Sequence, residues 1–193
     1  SGVPSGGACD GAGAGSFDCV CVAAVNGPYQ TVLSGELSSI KRVLSELGPH
    51  VSSRRLHGST PFHSPLMGGV ARAFEASLSS LGLEVVGEEG PCPTVISTMT
   101  GDVVSAATLS SPRHWSEHVV RPVLFGAAFC RMLVQEGIDV VVEVGPSSTL
   151  TRLGRRWVKQ LKAVAQTRAD EILCSALFET LSDCCNGMPA FHR

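Results

Sequence analysis

The stretch Thr60-Pro61-Phe62-His63-Ser64-Pro65-Leu66-Met67 is the most informative part of this 193-residue chain. It places a histidine directly before a Ser-Pro pair, and proline is favoured in the first turn of a helix. Apolar residues at helical spacing predict that this helix runs on to Leu81. A loop that ends at a helix start can hold a ring at a cleft, and histidine is the usual general base near neutral pH. On local chemistry alone, a structural or capping role for His63 stays open as the alternative.

The segment upstream of this histidine has the pattern of a hairpin and a helix. The β-type runs Cys19–Val25 and Tyr29–Leu33 flank the turn Asn26-Gly27-Pro28, as in a hairpin. Helical spacing then covers Glu36–Leu47, and Ser52–His57 is predicted to be a strand that crosses back. The order strand, strand, helix, strand, helix predicts a small α+β unit of ferredoxin-like character.

The segment downstream alternates helix and strand, which is typical of α/β folds. The predicted elements, in chain order, are a strand at Pro93–Met99, a helical stretch at Pro112–Gly137 broken by Pro122, a buried parallel strand at Asp139–Val144, a helix capped by Ser147 or Ser148, a strand at Leu161–Ala165 and a helix at Ala169–Cys184. This half is too short to close a core of its own, so further sequence is expected to complete it.

Composition excludes several classes of function. Apolar residues make up 44% of the chain, charged residues 17%, and the formal net charge is -2. The Lys and Arg residues are scattered, so no nucleic-acid footprint is predicted. A membrane helix needs about 20 consecutive apolar residues, and no such run occurs. The Gly-rich residues 1–17 are expected to form a flexible leader and not a signal peptide.

The eight cysteines contain no Cys-x-x-Cys pair, which argues against a zinc ribbon. We therefore expect no bound metal and no disulfide framework. Buried reduced thiols indicate a cytoplasmic, reducing compartment, with an organelle not excluded.

Four landmarks occur in a particular order along the chain: Asn26-Gly27-Pro28, Phe62-His63-Ser64-Pro65, Arg121-Pro122-Val123 after His114-Trp115, and Glu143-Val144-Gly145-Pro146. This ordered set resembles the acyltransferase domains of polyketide and fatty acid synthases. The resemblance implies that His63 is the catalytic base and that the backbone carbonyl of Arg121 orients its ring. It also implies a nucleophilic serine on a Gly-x-Ser-x-Gly element, and none occurs in this chain. The oxyanion element and the malonate-binding arginine of the family are expected upstream of Asn26 as well.

The same resemblance implies transfer of a malonyl group from malonyl-CoA to the phosphopantetheine thiol of an acyl carrier protein. Phe62 is expected to crowd the α-methyl of methylmalonyl, while Thr60 departs from the pattern of malonyl-selective relatives and Asn26 lines the cleft. No cofactor is expected to bind this chain. The implied partners are the acyl carrier protein, the acyl-CoA substrate and neighbouring synthase domains such as the ketosynthase.

In domain terms, the resemblance implies an α/β fold made of a ferredoxin-like small subdomain at 18–86 and the C-terminal part of a larger hydrolase-like α/β subdomain at 87–193. Ser34, Ser64 and Ser147 are the serines that would have to replace the missing nucleophile. Two alternatives stay open: a non-catalytic module that scaffolds or docks partners, and a hydrolase that releases acyl groups to water.

Overall fold

The computed structural model describes residues 20–84 and 93–167, with side chains to residue 161. The helices and strands have these bounds: β1 Val20–Gly27, β2 Gln30–Gly35, α1 Leu37–Leu47, a 3-10 turn Pro65–Met67, α2 Gly68–Leu81, β3 Val95–Ser97, β4 Asp102–Val104, α3 Ala106–Leu109, α4 Pro112–Val120, α5 Phe125–Val134 and α6 Thr149–Thr167. The predicted mixed α/β composition is confirmed. The leader at 1–17, the helix at Ala169–Cys184 and the boundary near residue 86 lie outside the described residues.

The chain divides into two compact units. Of the described residues, the first unit holds 20–25, 31–84, 93–95 and 103–123, and the second holds 26–30, 96–102 and 124–167. Helices α3 and α4 therefore group with α1 and α2 in the first unit.

The first unit is built on β1 and on the pair α2 and α4. β1 and β2 form a two-stranded sheet, as the turn at Asn26 predicted. α2 packs against α4, and the Ser116 hydroxyl on α4 donates to Glu75 Oε2 on α2 at 2.9 Å. Ala23, Met67 and Ala71 are buried here. This packing fixes the end of α4 relative to the loop that carries His63.

The predicted strand at Ser52–His57 is wrong. Residues 51–60 form an exposed loop, and a strand needs a neighbour to satisfy its backbone groups. The backbone next to β1 is supplied by Val123 instead, through a parallel bridge to Ala24. Of the predicted ferredoxin-like unit, the described residues contain the hairpin and the two helices.

The second unit packs α5 and α6 closely. Trp157 is buried, as are Phe125 and Phe129, whose rings stack at 5.5 Å. A Cβ at Gly154 would lie 2.6 Å from Phe129 Cζ, so a glycine is required for this approach. The predicted strand at Leu161–Ala165 is wrong, because these residues belong to helix α6. Lys, Gln, Leu and Ala favour a continuing helix there.

The predicted parallel strand at Asp139–Val144 is also wrong. This segment pairs with no strand among the described residues, and Val140, Val142 and Val144 are 76%, 78% and 94% exposed. Parallel strands occur in sheets whose two faces are both covered, and the described part of the chain supplies neither such cover nor a neighbouring strand at this place.

The break at Pro122 is confirmed, because α4 ends at Val120 and α5 begins at Phe125. Two short elements, β4 and α3, were missed: β4 follows a tight turn in which Gly101 has φ +76°. No helix in residues 20–84 or 93–167 has the length and apolar content that crossing a membrane requires.

Candidate functional site

His63 lies in the loop that leads into the 3-10 turn, and its backbone is unusual. Its φ is +58°, in the left-handed region that residues with a Cβ rarely adopt. The next residue, Ser64, is 1% exposed, and its hydroxyl donates to Pro61 O at 2.6 Å. The backbone around the histidine is thus held on its C-terminal side.

Carbonyl groups at the C-terminal end of α4 accept two hydrogen bonds from His63, one from its backbone N–H and one from its ring. The backbone N–H donates to Val119 O at 2.9 Å, and ring Nδ1 lies 2.9 Å from Arg121 O. The last carbonyls of a helix have no partner within the helix, and Pro122 ends α4 because proline has no N–H to continue the ladder. Residue 121 is extended, with ψ 153°, as expected before proline. The sequence thereby leaves two carbonyls free for His63.

This geometry selects one tautomer of the ring. A carbonyl oxygen only accepts hydrogen bonds, so Nδ1 carries the hydrogen and Nε2 presents its lone pair. Nε2 contacts no hydrogen-bond partner among the described residues, and the ring is half-buried. A histidine held at Nδ1 with Nε2 available has the arrangement of a general base. The contact to the Arg121 carbonyl that the resemblance implied is present.

Strand β1 connects the two halves of this arrangement. Val25 N–H donates to Val123 O at 2.8 Å, and Val123 N–H donates to Ala23 O at 2.9 Å. Two residues before Ala23, the Cys21 thiol lies 3.2 Å from His63 O. One strand therefore contacts both the histidine loop and the segment that carries the Arg121 carbonyl.

The Arg121 side chain has a separate role from its carbonyl. Its Nη1 pairs with Glu117 Oε2 at 3.3 Å, and Arg113 Nε pairs with Glu117 Oε1 at 2.8 Å. Partial burial opposes the charged form of Glu117, but hydrogen bonds from the two arginines outweigh it and lower the pKa of that carboxyl. These exposed i,i+4 pairs add little stability each, and they leave the Arg121 side chain out of the site.

A pair of histidines on α4 was missed as a functional feature. His114 is buried, and its Nε2 lies 3.4 Å from His118 Nε2. Burial lowers the pKa of His118, and the charges of His114 and His63 lower it further. Their spacing of four residues on one helix face is the sequence signal for this pair, whereas the resemblance involves His114 only through the His114-Trp115 landmark.

The three predicted substrate residues fall in different places. Phe62 is 51% exposed and its ring centroid is 6.5 Å from that of His63, so the ring lies outside the core. Thr60 is exposed, and its carbonyl accepts the Phe62 N–H at 2.9 Å. Asn26 belongs to the other compact unit, so its place in the cleft stays a prediction.

Of the three serines that could replace the nucleophile, Ser64 and Ser147 have hydroxyls that contact other groups. Ser64 is buried against Pro61 O, and the Ser147 hydroxyl lies 3.0 Å from Thr149 Oγ1. The Ser34 carbonyl lies 3.5 Å from the Cys21 thiol. Among the described residues no hydroxyl is paired with His63 Nε2, and none of their histidine, cysteine and carboxylate groups are clustered for a metal.

Glu143 of the fourth landmark caps a helix. Its carboxylate accepts the backbone N–H of Leu150 at 3.0 Å, the N–H of Thr151 at 2.8 Å and the Thr151 hydroxyl at 2.7 Å. The hydroxyl and backbone donors of Thr151 lower the pKa of this carboxyl. The first turn of α6 is therefore capped by Glu143 and not by the Ser147 or Ser148 side chain that we predicted.

The chain matches the family model described as the acyl transferase domain over residues 10–176. It is 38% identical over 140 residues to the polyketide synthase GfsB of Streptomyces halstedii. This alignment covers 70% of this chain and 2% of GfsB. It superposes on the acyl transferase domain of SpnD, solved in complex with 2-(pent-4-yn-1-yl)malonyl, with a TM-score of 0.62 and 27% identity over 73% of this chain and 33% of that one. For the malonyl-CoA:acyl carrier protein transacylase FabD of Xanthomonas oryzae the TM-score is 0.60 and the identity 25%, over 73% of this chain and 43% of that one.

The chain thus spans less than half of each solved structure and a small fraction of the synthase it resembles. The family match nevertheless covers most of its residues, including the histidine loop, the end of α4 and the Glu143 cap. The chain belongs to the acyl transferase domain family.

Proposed function

We propose that this chain supplies the general base of a malonyl-CoA:acyl carrier protein acyltransferase of polyketide or fatty acid synthesis. The observation that carries the proposal is the bond from His63 Nδ1 to Arg121 O at 2.9 Å, which leaves Nε2 as the proton acceptor. Family membership supplies the class of reaction. The attacking serine belongs to a segment outside this chain.

In this mechanism His63 Nε2 accepts a proton and gives it up again in each of the two half-reactions. Nε2 takes the serine hydroxyl proton as the oxygen attacks the thioester carbonyl of malonyl-CoA. The C–S bond then breaks, and the CoA thiolate takes that proton from Nε2. In the second half, Nε2 accepts the proton of the phosphopantetheine thiol as its sulfur attacks the ester carbonyl of the acyl-serine. The ester C–O bond then breaks, and Nε2 gives the proton to the departing serine oxygen. Arg121 O keeps Nδ1 protonated and carries no proton itself.

Phe62 is proposed to set the choice of acyl group. Its ring is exposed and neighbours the His63 ring, so an α-methyl substituent near the base would meet it. A steric difference of one methyl is worth roughly 1–3 kcal/mol. We expect Phe62→Ser to raise the rate ratio of methylmalonyl-CoA to malonyl-CoA about tenfold or more. An unchanged ratio would remove Phe62 from substrate selection.

The partners follow from this reaction. Acyl carrier protein is the acceptor, acyl-CoA the donor, and the ketosynthase a neighbouring domain of the same synthase. Phosphopantetheine arrives on the carrier protein, so the proposal needs no cofactor held by this chain. A reducing, cytoplasmic setting is proposed because the reaction uses a free thiol.

The function is tested with His63→Ala in the domain completed by its upstream part. Loss of a general base lowers the transfer rate by a factor of at least about 100, read as labelled malonyl on carrier protein. His57→Ala is the matched control, because His57 is an exposed loop histidine. Activity within a few-fold of the parent for His63→Ala would refute the assignment.

A second measurement, on the 193-residue chain alone, tests whether this chain holds a nucleophile of its own. Its intact mass after incubation with malonyl-CoA is expected to be unchanged, because the chain has no Gly-x-Ser-x-Gly element and the Ser64 and Ser147 hydroxyls contact other groups. A covalent malonyl adduct would show a nucleophile within this chain. A completed domain that neither loads nor transfers malonate would favour the scaffold.

A further inference from the structure

The backbone of His63 is anchored on both sides by groups from distant parts of the chain. Its N–H is bound by Val119 O at the end of α4, and its C=O faces the Cys21 thiol on β1 at 3.2 Å. The two peptide groups that flank Cα are thereby fixed in space, and together they define φ and ψ. The value of φ, +58°, sets the direction in which the Cα–Cβ bond leaves the chain.

This conformation needs support because it is intrinsically unfavourable. A residue with a Cβ loses roughly 1–2 kcal/mol in the left-handed region, so the surroundings must over-determine it. Without the contact to Cys21, the peptide group that follows His63 is held only through Ser64, whose hydroxyl donates to Pro61 O. A rotation of that peptide would carry the ring away from Arg121 O.

The thiol is in the form that this contact requires. Burial raises the pKa of Cys21, so the sulfur keeps its proton and can donate. Ser34 O is a second acceptor at 3.5 Å, but the sulfur lies closer to His63 O, at 3.2 Å. A protonated, half-buried thiol is a poor nucleophile, which separates this role from covalent catalysis.

We infer that Cys21 is a positioning residue, whose S–H bond to the His63 carbonyl holds the histidine in the left-handed conformation that places Nδ1 on Arg121 O. The inference rests on the proposed function only for its consequence in catalysis. Its structural content is the tautomer and the order of the His63 loop.

The test is nuclear magnetic resonance of the 193-residue chain, with the two ring nitrogens of His63 observed above neutral pH. In the parent, Nδ1 is expected to resonate as the protonated nitrogen and Nε2 as the unprotonated one. In Cys21→Ala and Cys21→Val, both resonances should shift toward the average of the two tautomers. Exchange of the His63 amide hydrogen should accelerate about 2- to 5-fold, because a thiol is a weak donor.

Cys21→Ser is the conservative variant, since its hydroxyl can donate to the same carbonyl. It is expected to restore the parent resonances and amide exchange. Cys130→Ala is the matched control, because Cys130 is a buried thiol on α5 in the other unit. It should leave the His63 ring unchanged. Circular dichroism checks that each variant is folded before its spectrum is compared.

Parent-like ring resonances in Cys21→Ala would overturn the inference. So would a Cys21→Ser spectrum that matches Cys21→Ala, because packing by sulfur would then be responsible and not its hydrogen bond. An equal shift in Cys130→Ala would show a general loosening of the fold and would overturn it too. Activity that survives His63→Ala would refute the proposed function but would not alter these resonances, so the two ideas fail separately.

Discussion

Because the backbone of His63 is left-handed, we predict that the His63→Gly variant is more stable to unfolding than the His63→Ala variant. Both His63→Ala and His63→Gly remove the ring and its bond to Arg121 O, a net loss of about 1 kcal/mol that is common to both. Alanine keeps the strain of φ +58°, roughly 1–2 kcal/mol. Glycine relieves that strain but costs about 0.4–1 kcal/mol through the greater freedom of the unfolded chain.

The free energy of unfolding should therefore be higher for His63→Gly than for His63→Ala by roughly 0.5–1 kcal/mol. Ala76 supplies the matched control, because it is exposed in the interior of α2 with right-handed backbone. There, Ala76→Gly should lower stability by about 1 kcal/mol. Urea unfolding followed by circular dichroism measures both differences. A His63→Gly variant that is less stable than His63→Ala, as at position 76, would refute the strained conformation.

Two further predictions concern packing and pH. Gly154→Ala should lower the free energy of unfolding by about 1–3 kcal/mol, because the new Cβ would lie 2.6 Å from the Phe129 ring. Gly69 lies in α2, and a Cβ added there would have nothing within 4 Å. Gly69→Ala should therefore raise the free energy of unfolding by about 1 kcal/mol. Thermal unfolding compares the two variants, and a loss of stability at both positions would contradict the packing argument. The pKa of His118 is lowered on folding, so the unfolded chain binds more protons and stability falls as pH drops below its ordinary value of about 6.5. His118→Gln should flatten that acid-side fall in urea unfolding while His57→Gln leaves it in place, and identical pH profiles for the two variants would contradict it.

The local backbone around the candidate site was predicted correctly where the information is local. Pro122 removes a backbone donor and Pro65 starts a helical turn wherever they occur. The end of α4, the histidine loop and the hairpin at Asn26 could therefore be predicted before any packing was known. The carbonyl of Arg121 also became available for this local reason, since it precedes a proline at a helix end.

The prediction failed where the answer depends on a partner. Asp139–Val144 has the composition of a buried strand, yet it pairs with no described strand, and Ser52–His57 is a loop for the same reason. A strand's hydrogen bonds go to another segment, so composition indicates what a strand would tolerate and not whether a neighbour exists. Helix α6 shows the converse, because a helix satisfies its own backbone and continued through the predicted strand at Leu161–Ala165.

By itself, the sequence determined the α/β class, the landmarks of the acyl transferase family and the identity of the candidate base. Tertiary structure alone decided how that base is held. The φ of +58°, the approach of Cys21 from 42 residues upstream and the reach of Nδ1 to a carbonyl 58 residues downstream are not local properties. They arise because β1, the histidine loop and the end of α4 pack together, and hydrogen bonds between distant segments depend on that packing and on no single stretch of chain.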